Sequence, residues 1–224
     1  MSATGLWQLL DSAFPAGGFA HSGALESLAQ SGELTGASLP TFLRTSLRLQ
    51  TRSLLPFLLQ AHRDLEAFQN INLSCDAFLI NHVARAASSR QGRSLLSSAA
   101  AIFHDARLSA LNDTFHLRGA LKDHAPCHYA PAHGTVAASL GLSRGEAAQS
   151  YLFVTLRDQV LSAIRLGIVG PMEGHAILYS LRSEIEHLAH EATSGREPEA
   201  FQIAPLIDIV QTTHSRLYSR LFQS

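Results

Sequence analysis

The chain has 224 residues, of which 46% are hydrophobic and 16% are charged, with a formal net charge of −1. This composition is typical of one soluble globular domain and gives no electrostatic reason to expect nucleic acid or a membrane surface as a partner. Neither a signal-peptide pattern nor an apolar run of roughly 18 residues is present, and two cysteines make no disulfide framework, so we expect a cytoplasmic protein.

Apolar residues recur with helical spacing, and alternating runs typical of β-strands are absent. In chain order, start and stop signals predict the following segments: a helix capped by Ser22 through residue 30, one opened by Ser38 and Pro40 and broken at Leu54-Leu55-Pro56, one capped by Ser74 through Val83, one from Pro131 to about Gly141, one from a capping box at Ser143–Glu146 to about Gly167, one from Pro171 to about His190, and a last helix from Pro205.

The leucine spacing continues that last helix through Leu217 and Leu221. Residues 64–74 and 192–200 read as linkers. We therefore predict an all-α fold, a single globular domain over residues 1–224 with roughly eight to ten helices.

The stretch DSAFPAGGFAHSGALE at residues 11–26 is the first candidate site. A phosphate-binding loop would add a lysine and a preceding strand, and both are missing. A serine hydrolase would need Ser22 on a Gly-x-Ser-x-Gly elbow with a base elsewhere, yet His21 is its immediate neighbour. The remaining interpretation of the stretch is a turn shaped by proline and glycine that presents Phe19 and His21 at the surface.

Histidine clusters are the second candidate. His124, Cys127, His128 and His133 lie close together in sequence, and His187 and His190 are one helical turn apart. Nitrogen and sulfur ligands suit Zn, Ni or Cu, but neither spacing matches an established metal motif. A metal-binding reading of these residues therefore stays open beside a purely structural one.

Two further features are charged or aromatic groups in unusual places. Arg157 and Asp158 interrupt the apolar pattern of a predicted helix. They could form a buried structural ion pair, or Arg157 could bind a partner protein. The final residues 214–224, HSRLYSRLFQS, interleave aromatic and apolar side chains with arginines, a combination that interface hot spots use. The alternative is that this segment packs on its own core.

Four segments together resemble the UreF family of urease accessory proteins: WQLLDSAFPAGGFAHSGALE at 7–26, ASSRQGRSLL at 87–96, APAHGTVAASLGLSRGEAAQSYLFVTLRDQVLSAIRLGIVGP at 130–171 and APLIDIVQTTHSRLYSRLFQS at 204–224. The resemblance covers nearly the whole chain and is strongest to plant-type members. It implies an all-helical protein without enzymatic activity that forms a homodimer and binds no cofactor itself. Its implied partners are UreD (UreH in some systems), the GTPase UreG and the urease apoprotein, and nickel and GTP would act through them.

The resemblance also implies which residues meet the partners. For UreG they are Gly17, Gly18, Phe19, His21 and Ser22, and for UreD they are His214, Leu217, Tyr218, Ser219, Arg220, Leu221, Phe222 and Ser224. Gln223 departs from the arginine common in family tails, and the Cys127-His128 pair is not a family feature. Two alternatives stay open: a metal carrier built on His124, Cys127, His128 and His133, and a GTPase regulator that inserts an arginine such as Arg157 into the nucleotide site.

Overall fold

A computed structural model describes residues 3–120, 125–195, 198–202 and 205–223. Its regular elements are helices throughout these ranges: α1 Ala3–Leu10, α2 Leu25–Gln30, α3 Leu39–Ser53, α4 Leu55–Arg63, α5 Phe68–Phe78, α6 His82–Phe103, α7 Ala106–Ala120, α8 Tyr129–Ser139, α9 Arg144–Arg165, α10 Pro171–Ser180, α11 Arg182–Thr193 and α12 Pro205–Thr212, with one-turn 3-10 helices at Gly18–Ala20 and Thr213–Arg216. The predicted all-α class is confirmed.

Helix α9 runs through the centre and packs against α3, α4, α8, α10 and α11. Its buried face carries Tyr151, Leu152, Leu156 and Val160, and leucines of α3 and α4 complete the core around it. In the described part of the chain no helix combines the length and apolar character needed to cross a bilayer.

Helix α8 lies so close to its neighbours that side chains are excluded at the crossing points. A Cβ atom built on Gly134 would lie 2.1 Å from the carbonyl oxygen of Leu58 in α4. A Cβ on Gly92 of α6 would lie 2.1 Å from the carbonyl oxygen of Cys127, just before α8. Glycine therefore allows backbone-to-backbone packing on both sides of α8.

Several predicted boundaries are confirmed. The capping box of α9 is complete, since the Ser143 Oγ accepts from the Glu146 backbone N–H at 3.2 Å and the Glu146 carboxylate accepts from the Ser143 N–H at 2.7 Å. Helix α3 ends at Ser53 and α4 begins at Leu55, so the helical segment is interrupted just before Pro56. Helix α12 begins at Pro205 as expected.

Other boundaries were wrong. Ser74 lies inside α5, where its hydroxyl donates to the Asn70 carbonyl, and Asn81 instead caps α6 by accepting from two backbone N–H groups. The linker predicted at 64–74 is helical from Phe68 onward. The cap of α2 is Ala24 rather than Ser22.

The helices at the C-terminal end are also shorter than predicted. The segment from Pro171 is interrupted at Leu181. The last helix stops at Thr212, and the backbone is extended at Leu217.

Candidate functional site

The glycine loop, defined here as residues 11–24, is held in one conformation by its own backbone and by α6. Gly17 and Gly23 have φ angles of +76° and +64°, a left-handed region that favours glycine. The carbonyl oxygen of Pro15 accepts hydrogen bonds from the hydroxyls of Ser94 and Ser98 at 2.8 and 2.9 Å. The loop is therefore a fixed surface feature rather than a free connection.

Gly18 lies directly on the carboxylate of Asp158 in α9. A Cβ atom at this position would lie 2.1 Å from the Asp158 Oδ2. The same carboxylate accepts two hydrogen bonds from the Arg157 guanidinium, at 2.7 and 3.0 Å, and Arg157 also donates to the carbonyl oxygen of Leu10. Burial raises the pKa of Asp158, and Arg157 opposes that shift.

The Arg157–Asp158 pair thus connects α9 with the end of α1 and with the glycine loop. Its side chains are only 13% and 19% exposed. A guanidinium held in this way is mostly committed inside its own chain. The structural interpretation of the pair is the one that the geometry favours.

The tail, defined here as residues 213–223, folds back onto α2 and is bound by the carboxylate of Glu26. Glu26 Oε1 accepts from the Leu221 backbone N–H at 2.6 Å, and Oε2 accepts from the Phe222 N–H at 3.2 Å. The Nε2 of His214 donates to Oε2 at 2.8 Å. Glu26 and His214 are both buried, each with 1% of the residue exposed.

Further contacts connect the tail to its surroundings. The Gln223 N–H donates to the Ala20 carbonyl at 2.8 Å, and the Gln30 side-chain amide donates to the Ser219 carbonyl at 2.8 Å. The guanidinium carbon of Arg165 lies 4.4 Å above the centre of the Phe222 ring. The glycine loop and the tail, which the sequence presents at opposite ends of the chain, therefore form one continuous surface.

The predicted partner-binding residues divide into exposed and buried ones. Tyr218 is fully exposed, Leu221 is 53% exposed, Ser219 and Arg220 are also exposed, and Leu217 is partly so. His214, Phe222 and Ser22 are buried, whereas Gly17, Gly18 and His21 are partly exposed. The side chain of Phe19, and Ser224 as a whole, lie outside the described residues.

His21 lies where the loop and the tail meet. Burial, together with the positive charge of Arg90, lowers the pKa of His21 to about 4. The imidazole is therefore neutral at neutral pH, and the junction carries no extra positive charge from it.

A cleft of about 190 Å³, lined by both polar and apolar side chains, lies beneath the loop and α12. Side chains of α3, α6 and α9 line it, including Gln50, whose carbonyl oxygen accepts from the Tyr151 hydroxyl at 2.7 Å. Gln211 of α12 and His21 of the loop also face this space. The C-terminal segment thus partly covers this cleft.

The predicted metal cluster is used mainly for packing. Burial raises the pKa of Cys127 to about 12, so its thiol stays protonated, whereas metals bind the thiolate. His133 donates to Ser150 at 2.8 Å, and His124 lies outside the described residues. His187 and His190 are exposed on α11. Within the described ranges, no three His, Cys, Asp or Glu side chains are arranged to hold a metal ion.

His128 belongs to a buried hydrogen-bond network that the sequence did not predict. Its Nε2 lies 3.1 Å from the Asp76 Oδ1 and its Nδ1 lies 3.2 Å from the Ser88 Oγ. Ser88 also accepts from the Tyr129 backbone N–H, and the side chain of Asn72 accepts from the His128 N–H. These bonds fasten the start of α8 to α5 and α6. No spacing in the sequence signals them, because the groups come from three separate segments.

Comparison with known proteins gives a consistent result. A family model described as UreF matches residues 34–182. Urease accessory protein F of Arabidopsis thaliana is 36% identical over 230 residues, covering 97% of this chain and 91% of that protein. The protein of the same name from Oryza sativa subsp. indica is 34% identical over 220 residues, covering 96% and 83%. Urease accessory protein UreF of Trichodesmium erythraeum is 31% identical over 228 residues, covering 97% and 94%.

Proposed function

Since the chain belongs to the UreF family of urease accessory proteins and so has a role in urease maturation, we propose that it acts there as an adaptor. In this proposal it bridges UreD (or UreH) and the GTPase UreG, without catalytic activity of its own. Nickel and GTP act through those partners and the urease apoprotein. The protein works as a single-domain, cytoplasmic homodimer.

The observation that carries the proposal is the surface formed by the tail. Tyr218, Arg220 and Leu221 project from a segment whose backbone is fixed by Glu26. Exposed aromatic and apolar side chains beside an arginine are the usual anchors of protein interfaces. We assign them, with Leu217 and Ser219, to UreD. Phe222 and His214 support this surface from beneath instead of contacting the partner.

The glycine loop is the proposed contact for UreG. It adjoins the tail through the hydrogen bond between Gln223 and Ala20, and it is held rigidly by α6 and α9. Rigid surfaces lose little conformational entropy on binding. Gly17, Gly18 and His21 contribute an accessible backbone and one neutral imidazole, and Phe19 is the proposed side-chain contact.

The two alternative functions have less support from the geometry. An arginine finger must reach a partner's nucleotide, yet Arg157 is bound to Asp158 and to Leu10. A metal carrier needs ionised or free ligands, yet the Cys127 thiol is buried with a raised pKa and both ring nitrogens of His128 face hydrogen-bonding partners.

The test is capture of purified UreD, and then of UreG, measured by pull-down and light scattering. Tyr218→Ala should weaken the UreD complex by roughly thirty-fold or more, as expected for an aromatic hot spot. The matched control is Tyr179→Ala, an exposed tyrosine on α10 that is 67% exposed. Equal UreD affinity of both variants and the unmodified protein would remove the tail from the proposal.

Recruitment of UreG is measured on the preformed complex with UreD. Phe19→Ala should reduce UreG recruitment and leave UreD capture unchanged. If no complex of the three proteins forms even with the unmodified chain, the bridging function is wrong.

A further inference from the structure

We propose that Glu26 is the positioning residue that holds the tail in its presented conformation, so that the surface of Tyr218, Arg220 and Leu221 depends on a buried carboxylate that touches no partner. The role of that surface rests on the proposed function. The anchoring itself is a property of the isolated chain.

The hydrogen-bond pattern of Glu26 gives the first argument. A buried carboxylate is tolerated only where donors compensate its lost hydration. All three donors that reach Glu26 in the described residues come from the tail: the N–H groups of Leu221 and Phe222 and the Nε2 of His214. The tail therefore satisfies the carboxylate, and the carboxylate in turn fixes the tail.

The geometry of the two oxygens gives the second argument. Oε1 serves Leu221, whereas Oε2 serves both Phe222 and His214. We call the Glu26 carboxylate with its three tail donors the clamp. A glutamine at this position has one oxygen and one NH₂ group, so its NH₂ group would face a tail N–H group, and both are donors. The clamp is thus specific for a carboxylate, although glutamine has nearly the same volume.

The third argument is that the tail has few other attachments. Phe222 is its buried apolar anchor, 4% exposed, and the contacts at Gln30 and Gln223 are polar and near the surface. The neighbouring C-terminal helix α12 lies over an open cleft of about 190 Å³ and does not fill it. Segments with few buried apolar contacts open most readily, so a single strong anchor decides whether this one is ordered.

The clamp also explains why the last helix ends early. A continued helix would use the N–H groups of Leu221 and Phe222 for its own i to i−4 bonds. Glu26 takes both of them instead, and the chain becomes extended at Leu217. The helical leucine spacing in this segment is therefore overridden by one distant side chain.

Hydrogen exchange of the isolated protein, followed by mass spectrometry, tests the anchor. Glu26→Gln should raise the exchange rate of the hydrogen-bonded tail amides of Leu221, Phe222 and Gln223 by about a hundred-fold while α9 keeps its protection. Glu33→Gln, at an exposed position shortly after α2, is the matched control and should leave the tail unchanged. Tail exchange in Glu26→Gln within about three-fold of the unmodified protein overturns the proposal.

A second variant covers the case in which Glu26→Gln does not fold. His214→Ala removes one donor and leaves the carboxylate in place, so tail exchange should rise about ten-fold. Without such a rise the anchor is rejected.

Capture of UreD by Glu26→Gln then separates the two proposals. A loosened tail with weaker capture supports both. A loosened tail with unchanged capture supports the anchor and contradicts the assignment of the tail to UreD. A tail that stays protected rejects the anchor, whereas the Tyr218→Ala test of the proposed function is unaffected.

Discussion

The largest histidine contribution to acid destabilisation of this fold should come from His133 in α8, whose pKa is lowered further than that of His21. The residue is 1% exposed and lies between the rings of Tyr129 and Tyr151. The Ser150 hydroxyl donates to the Ala147 carbonyl, so its oxygen accepts from the Nε2–H of His133. The Nδ1 is then the unprotonated nitrogen, and it has no hydrogen-bond partner in the described residues.

Protonation of His133 would place a positive charge at that nitrogen, and burial accordingly lowers the pKa of His133 to about 3. The ordinary value for an unfolded chain is about 6.5. Below that pH His133 is protonated in the unfolded state but stays neutral in the folded state. The free energy of unfolding therefore falls as the pH falls from about 6.5 towards 3. The contribution of His133 to the slope is about 1.4 kcal/mol per pH unit, or about 2.5 kcal/mol between pH 7 and pH 4.5.

Urea denaturation followed by circular dichroism at several pH values between 7 and 4.5 measures this loss. His133→Gln keeps a side-chain N–H for Ser150 but does not titrate, so its stability should fall less with acid, by about 2.5 kcal/mol over this range. His175→Gln, at an exposed position on α10, should show the unmodified pH profile. If His133→Gln loses as much stability between pH 7 and pH 4.5 as the unmodified protein, the reasoning about His133 is refuted.

Two further predictions concern the helices around the core. Gly134→Ala should destabilise the protein by about 2–3 kcal/mol or more, because the new Cβ would collide with the Leu58 carbonyl of α4. Gly145→Ala, with open space around it, should be neutral or stabilise α9 by up to about 1 kcal/mol. Equal thermal unfolding temperatures of the two variants would contradict the close packing at Gly134. Ser143→Ala should cost about 1 kcal/mol in chemical denaturation through loss of the capping box with Glu146, and an unchanged midpoint would mean that the cap contributes nothing.

Local sequence signals correctly predicted the helix boundaries that depend only on neighbouring residues. The capping box at Ser143 and the break before Pro56 each depend on residues within one turn of each other, and both were found where expected. The cap at Ser74 was wrong for a related reason. Serine is equally able to donate to a carbonyl within a helix, and only the structure shows that it does so here.

The candidate site could be predicted only in part. The unusual composition of the loop and of the tail marked both segments, but nothing in the sequence indicated that they lie together. Glu26 lies in the first turn of α2, where an acidic residue is common, and its role depends on tail groups far away in the chain. Such a side chain becomes visible only when the fold brings its distant partners to it.

The clamp at Glu26 also has a consequence for the timing of assembly. Its partners His214, Leu221 and Phe222 are 188, 195 and 196 residues away in sequence. Contacts of such long range form late, since the chain between them must first be ordered. A chain still emerging from the ribosome, or one cut short before residue 214, would have its central helices but not the clamp. On the proposed role of the tail, binding through its surface would therefore select for molecules in which the clamp has formed.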